Sequence, residues 1–252
     1  KVFLLACIEV AEGVEDLSDL DAAAEAAAGL FERDAGLRRV VFKLNEGFSG
    51  DGNAVLDRKD VVAPTRAASI LEALPVALRM EADDLPLERY GELFRQHGGI
   101  VEAWLDGEGK RSPSVQVRIN PLGGLELISS HDQLLAGRSG QVFQGSTFPA
   151  DPAYAVAIQE RALAVAAVLR DEGVLGRFAV DFVSVPDGAG WRHRAIEINL
   201  RKGGTTLPFQ RRQFLTNGVY DAASATFMTP LGQPRHYYAT DNMVHPRYPR
   251  LA

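Results

Sequence analysis

Phe178-Ala-Val-Asp-Phe-Val-Ser-Val185 and His193-Arg-Ala-Ile-Glu-Ile-Asn-Leu200 flank the run Pro186-Asp-Gly-Ala-Gly190, and their reading decides the fold. Val, Ile and Phe favour strands, while Pro, Asp and Gly punctuate turns, so the stretch predicts an antiparallel hairpin. With the turn centred near Gly188, Asp181 faces Ala195 and lies diagonal to Glu197. Side chains alternate faces with period two, which puts Asp181, Glu197 and Asn199 on one face. A slip of one residue would turn the second strand's set over, so this register is an assumption the structure must meet. Two carboxylates and an amide oxygen form a hard, all-oxygen donor set suited to Mg²⁺, completed by water and phosphate. The plain alternative is a solvated strand face. Against it, Asn is a poor strand former and Glu-Ile-Asn sits inside an apolar run.

Working outward, the chain of 252 residues suits one large domain or two lobes sharing a cleft. Its 46% hydrophobic and 24% charged residues are ordinary for a globular protein with a full core. A net charge of −6 argues against a broad polyanion-binding surface and so against nucleic acid as a partner. The single cysteine, Cys7, excludes an internal disulfide, fits a reducing cytoplasm and reads as a small buried apolar residue. No stretch reaches the roughly 18 apolar residues of a membrane span, and acidic residues follow the short apolar start, unlike a signal peptide. The chain does not begin with Met and its end carries no helix or strand pattern, so both ends are expected to be cut from something longer.

Helices are expected over Asp21 to Arg33, Thr65 to Leu78 with Pro75 as an interruption, Leu87 to Gln96, and Pro152 to Glu172. For the last, Asp151 is the expected N-cap, Gly173 the terminator, and Tyr154, Ile158, Ala162, Val165 and Leu169 the buried stripe. Strands are expected at Val40–Leu44, Ile100–Leu105, Ser114–Ile119 and Leu125–Ile128. Nothing is assigned beyond Pro230.

A second constellation is Val41-Phe-Lys-Leu-Asn-Glu-Gly-Phe-Ser-Gly-Asp-Gly-Asn53. A strand ends at Lys43, and Gly47, Gly50 and Gly52 then loosen a loop carrying Ser49 and Asn53. Glycines let backbone N–H groups approach phosphate, and an ammonium adds a point charge. The loop matches neither the Walker pattern nor a dinucleotide fingerprint. Such a loop is as readily a plain hairpin turn; joined to a distant Asp/Glu/Asn hairpin it is far more specific. The five histidines are scattered without metal-ligand spacing. His131-Asp132 reads either as a base for an incoming amine or, more plainly, as a loop histidine bonded to its neighbour. Arg118 reads equally as a contact to phosphate or substrate and as an exposed sheet charge, and Trp104 and Phe178 as core.

With these motifs in place the chain resembles the ATP-grasp superfamily. The fold class this implies is α+β, two lobes with antiparallel sheets enclosing an ATP cleft: a smaller lobe over 1–103 and a larger one over 104–252. By the resemblance, Lys43 is the phosphate-binding lysine and Ser49, Gly50, Gly52 and Asn53 belong to the lid. Val101-Glu-Ala-Trp-Leu105 resembles the inter-lobe hinge of D-alanine–D-alanine ligases, so Glu102 would meet the adenine amino group and the Trp104–Leu105 backbone the purine edge. Glu108 is the nearest candidate for the ribose. Asp181, Glu197 and Asn199 match the magnesium ligands. Glu197-Ile-Asn-Leu-Arg201 is similar to the Glu-x-Asn-x-Arg of biotin carboxylases, where the arginine steadies the reacting acyl or carboxyl phosphate.

Four further motifs, Glu46–Asn53, Arg111–Val115, Gly176–Phe182 and Glu197–Thr206, resemble the ATP-grasp peptide ligases related to the pheganomycin ligase. This chain departs from the expected family pattern at Leu207-Pro208, where His-Pro is anticipated. The activity implied is an ADP-forming ligation of a small-molecule or peptide carboxylate to an amine through an acyl phosphate, with ATP and Mg²⁺ and no membrane partner. Lys43 and Arg201 are the expected catalytic side chains. The alternatives are a nucleotide-binding module without turnover and an ATP-grasp kinase or carboxylase.

Overall fold

The computed structural model describes residues 1–46, 52–82, 84–138 and 140–240. Two compact units emerge, neither of them one continuous stretch. The smaller comprises Ala11–Asp106 and Ala136–Val142; the larger comprises Lys1–Val10, Gly107–Leu135 and the chain from Phe143 onward. They differ from a single division at 103/104 chiefly in the first ten residues and in Ala136–Val142. A helical turn, α1 (Val2–Leu5), opens the larger unit, and the backbone then runs beside the hairpin, where Ala195 N–H donates to Glu9 at 2.8 Å. Cys7 is exposed here instead of buried, in the turn that ends α1, where its φ is 55°.

The smaller unit contains β1 (Gly13–Leu17), α2 (Leu20–Arg33), β2 (Arg39–Leu44), β3 (Asn53–Asp57), α3 (Ala67–Ala77), β4 (Arg79–Met80), α4 (Leu87–His97) and β5 (Gly99–Ala103). Its strands form an antiparallel sheet in the order β1-β5-β2-β3-β4. Asp19 caps α2 by accepting from Ala22 N–H at 2.8 Å, and the alanine-rich face of α2 lies close to its neighbours. Pro75 does not interrupt α3; it falls in the last turns, where one missing hydrogen bond is tolerated. Val40, Phe42, Ala54, Leu56 and Val101 form the sheet side of one core with Phe31, Ile70 and Phe94. The opposite side chains of the alternation, Lys43, Asn53 and Glu102, share the other face.

The larger unit adds β6 (Pro113–Ile119), β7 (Leu125–Ala136), β8 (Val142–Phe148), α5 (Ala155–Asp171), β9 (Gly176–Asp187), β10 (Gly190–Asn199), α6 (Thr206–Thr216), β11 (Val219–Asp221), β12 (Thr226–Met228) and β13 (Tyr237–Thr240). Six strands make a sheet in the order β10-β9-β6-β7-β8-β13, and β11 and β12 pair separately. Helix α5 begins three residues later than expected. Asp151 spends its side chain on Ala153 N–H at 2.9 Å, so Pro152 lies in a turn and not in the helix. The expected stripe of Tyr154, Ile158, Ala162, Val165 and Leu169 is buried, against Val115, Val117, Phe178 and Val180. β6 and β9 alternate, so Ser114, Gln116 and Arg118 share the opposite face with Asp181, Ala179 and Arg177.

Candidate active site

The hairpin register differs from the expected one, and the difference matters. From the tip inward Asp187 opposes Gly190 and Phe182 opposes Ala195. Continued without a break, that ladder would set Glu197 opposite Val180, on the core face. The register instead shifts between Ala195 and Glu197, so Ile196 is an extra residue and Glu197 directly opposes Asp181. Asn199 then opposes Ala179, and its Nδ2 donates to Asp181 Oδ2 at 3.0 Å. The slip and the bulge thus cancel, and all three side chains share the face the sequence predicts for them.

Asp181 is steadied from neighbouring strands. Ser114, directly across on β6, and Gln133 on β7 both hydrogen-bond to its carboxylate. Burial pushes the Asp181 carboxyl up to about 6 and the charge of Glu197 adds to this, while those two hydrogen bonds and the charge of Arg201 oppose it. Among the described residues no group of three or more His, Cys, Asp or Glu forms a metal cluster. The set is two carboxylates plus the Asn199 amide, whose oxygen remains as an acceptor once its nitrogen donates to Asp181. That donor set fits Mg²⁺, which binds one or two carboxylates and completes its shell with water and phosphate. Neither Ser114, part of the Arg111–Val115 motif, nor Gln133 is identified by sequence, since both act across strands far apart in the chain.

Beyond β10 the chain turns at once, with Arg201 N–H donating to Asn199 at 2.7 Å. The following loop is moored to the sheet. Gln116 Nε2 donates to Thr205 Oγ1 at 2.9 Å, Thr206 Oγ1 donates to Gln116 Oε1 at 3.1 Å, and Gly203 N–H donates to Thr206 at 3.2 Å. Gly204 lies so close to Phe143 that a Cβ there would sit 2.4 Å from the ring. Leu207 is exposed at the start of α6.

In the smaller unit Lys43 Nζ and Glu102 Oε2 form an ion pair at 2.5 Å, so the residues expected at phosphate and at adenine are paired to each other. Asn53 opposes Lys43 and donates to Gln141 Oε1 at 2.8 Å; Gly52 accepts from Leu44 N–H and Tyr90 Oη. Ser49 and Gly50 lie outside the described residues. After β5, Trp104 is not core: the Arg39 guanidinium lies 4.7 Å over its ring and its indole N–H donates to Asp106 at 3.0 Å. Its backbone N–H is engaged by Arg39 O at 3.0 Å, so that donor is unavailable to a purine. Glu108 is exposed in the next turn and belongs to the larger unit.

His131 is no loop residue. It is buried on β7, where Nε2 shares a hydrogen bond of 2.9 Å with Tyr237 Oη, and Asp132 instead accepts from Tyr154 Oη at 2.6 Å. Burial holds the imidazole near 3, neutral and remote from acid–base work at ordinary pH.

Comparison with known proteins decides the family. The profile described as IQCH-like, ATP-grasp matches residues 67–222, well over half the chain. The chain belongs to the ATP-grasp family. This ATP-grasp chain is also similar to the L-propargylglycine–L-glutamate ligase of Streptantibioticus cattleyicolor, at 34% identity over 154 residues, 61% of this chain and 30% of that protein. Among solved structures, the biotin carboxylase of Campylobacter jejuni in its β-γ-ATP complex matches at 19% identity and a TM-score of 0.58, over 86% of this chain and 41% of that one. The biotin carboxylase domain of the Hydrogenobacter thermophilus 2-oxoglutarate carboxylase, solved with MgADP and bicarbonate, matches at 15% identity and 0.55, with the same two coverages. At these identities the likeness to the carboxylases is one of fold. The ATP-grasp chain spans less than half the length of each of these relatives.

Proposed function

We propose that this chain carries the nucleotide- and metal-binding residues of an ADP-forming carboxylate–amine ligase. The observation that supports it best is the convergence of Asp181, Glu197 and Asn199 on one sheet face through the bulge at Ile196. These three would hold Mg²⁺, which when bound neutralises phosphate charge. Lys43 would meet phosphate after exchanging its partner Glu102, and Glu102 and the Trp104–Leu105 segment would contact the base. In the reaction a substrate carboxylate oxygen attacks the γ-phosphorus and ADP leaves. An amine then attacks the acyl phosphate carbon, forming the amide, releasing phosphate and losing one proton to solvent. Arg201 would stabilise the charge on the acyl phosphate. Positioning and electrostatics carry such chemistry without a protein nucleophile.

The similarity to an amino-acid ligase supports the amine acceptor, and the fold shared with biotin carboxylases favours carboxylation as the second reading. The test is ADP release from MgATP over a panel of amino acids and dipeptides, with mass analysis of products. ADP release that requires both an acid and an amine, with a condensation product, is expected. ADP formed with bicarbonate and no amine would establish the carboxylase, and nucleotide binding without ADP release would establish a module without turnover.

A further inference from the structure

The sheet face that carries Asp181 also carries an unusual pair of cations. Arg118 of β6 directly opposes Arg177 of β9, in the register that sets Ser114 opposite Asp181. Like charges directly opposed across strands repel. Arg118 is compensated by Glu126 at 3.6 Å, whose other oxygen accepts from Asn120 at 2.9 Å. Arg177 forms no ion pair among the described residues, and its Nη1 is buried without a hydrogen-bond partner. Burial and the neighbouring Arg118 lower its pKa, opposed by the charge of Glu126. A buried N–H of a charged group left unpaired is costly, and a second cation beside it adds to that cost. An anion seated on the pair would remove both penalties.

The register shows which way this pair lies. Glu197 opposes Asp181 and Asn199 opposes Ala179, so the direction from Asp181 to Arg177 is also the direction in which β10 runs toward Arg201. Arg177 lies four positions before Asp181 on β9, roughly 13 Å along the strand. We propose that Arg177 and Arg118 together bind a carboxylate at the far end of the substrate, a group separate from the one that reacts. The planar guanidinium fork suits a carboxylate. A substrate carrying such a second anionic group is an amino acid derivative or peptide and not bicarbonate. This inference rests on the ligase reading.

Its test uses the full chain without nucleotide or metal, so it does not depend on turnover. Binding of L-alanyl-L-alanine, its N-acetyl derivative and L-alanyl-L-alaninamide is measured by calorimetry and thermal shift. Both free acids should bind about 10-fold or more tightly than the amide. Arg177→Leu should abolish that preference. Arg118→Gln, at a half-exposed side chain where folding is not at stake, should weaken the preference. Equal binding of acid and amide, or a preference kept in both variants, would overturn the proposal. Carboxylate preference without ADP release would instead sink the ligase reading. In turnover, amidating the amine component assigns the anion to that component if it reproduces the Arg177→Leu defect, and to the acid component if it does not.

Discussion

Glu197 is exposed while its partner Asp181 is partly buried, and the two respond differently to substitution. Glu197→Gln removes a charge from a solvated side chain and leaves the core untouched. It should therefore lower Mg²⁺-dependent ADP release by roughly 100-fold or more while leaving the melting temperature nearly unchanged. Undiminished turnover would refute the ligand role. Buried histidine adds to the acid sensitivity of the fold. His193 is buried, its Nδ1 shares a hydrogen bond of 2.7 Å with Ser184, and burial, aided by the charge of Arg161, pushes its pKa down to about 4. The unfolded imidazole protonates near 6.5, so between there and about 4 the unfolded state binds more protons and stability falls as pH falls. The loss approaches about 1.4 kcal/mol per pH unit for this group. Urea midpoints measured from pH 7 to 4.5 should show a shallower decline in His193→Asn than in the wild type.

At the scale of elements, what was legible followed from local pattern. The hairpin, α2, α4 and the stripe of α5 carry their periodicity within one short window. The bulge at Ile196 was not legible, because nothing in Ala-Ile-Glu marks an extra residue; only pairing against β9 exposes it. Strands β4, β11 and β12 are too short to show an alternation, and β13 is fixed by pairing with β8, far away in sequence. Helix α6 leaves Leu207, Phe214 and Leu215 exposed, which blurs the stripe that would have announced it. The loop before α6 offers a sharp test. Gly204→Ala would set a methyl group against the Phe143 ring, so that either the ring or the segment between Arg201 and Thr205 must shift. Amine-dependent ADP release should drop about 10-fold or more, while Mg²⁺-dependent nucleotide binding persists. A fully active variant would show that the ring yields and the segment keeps its place.

At the scale of the whole molecule, the described residues form two hydrophobic cores, one in each unit, and each unit holds one tryptophan: Trp104 in the smaller and Trp191 in the larger. Phe42 is wholly buried in the smaller core. Phe42→Ala should cost about 3–5 kcal/mol there. In single-tryptophan backgrounds, Trp191→Phe and Trp104→Phe, the urea transition reported by Trp104 should move further than that reported by Trp191. Coincident shifts would mean the units unfold as one cooperative body.

The chain path has a practical consequence. Because Ala136–Val142 belongs to the smaller unit, the backbone crosses between units four times, at 10/11, 106/107, 135/136 and 142/143. No single scission can excise either unit whole. A fragment stopping at 106 would deprive Asn53 of Gln141 and strip away Gly137, which lies against Glu81. Anyone wishing to study one unit alone must therefore splice the connecting segment back in rather than shorten the gene.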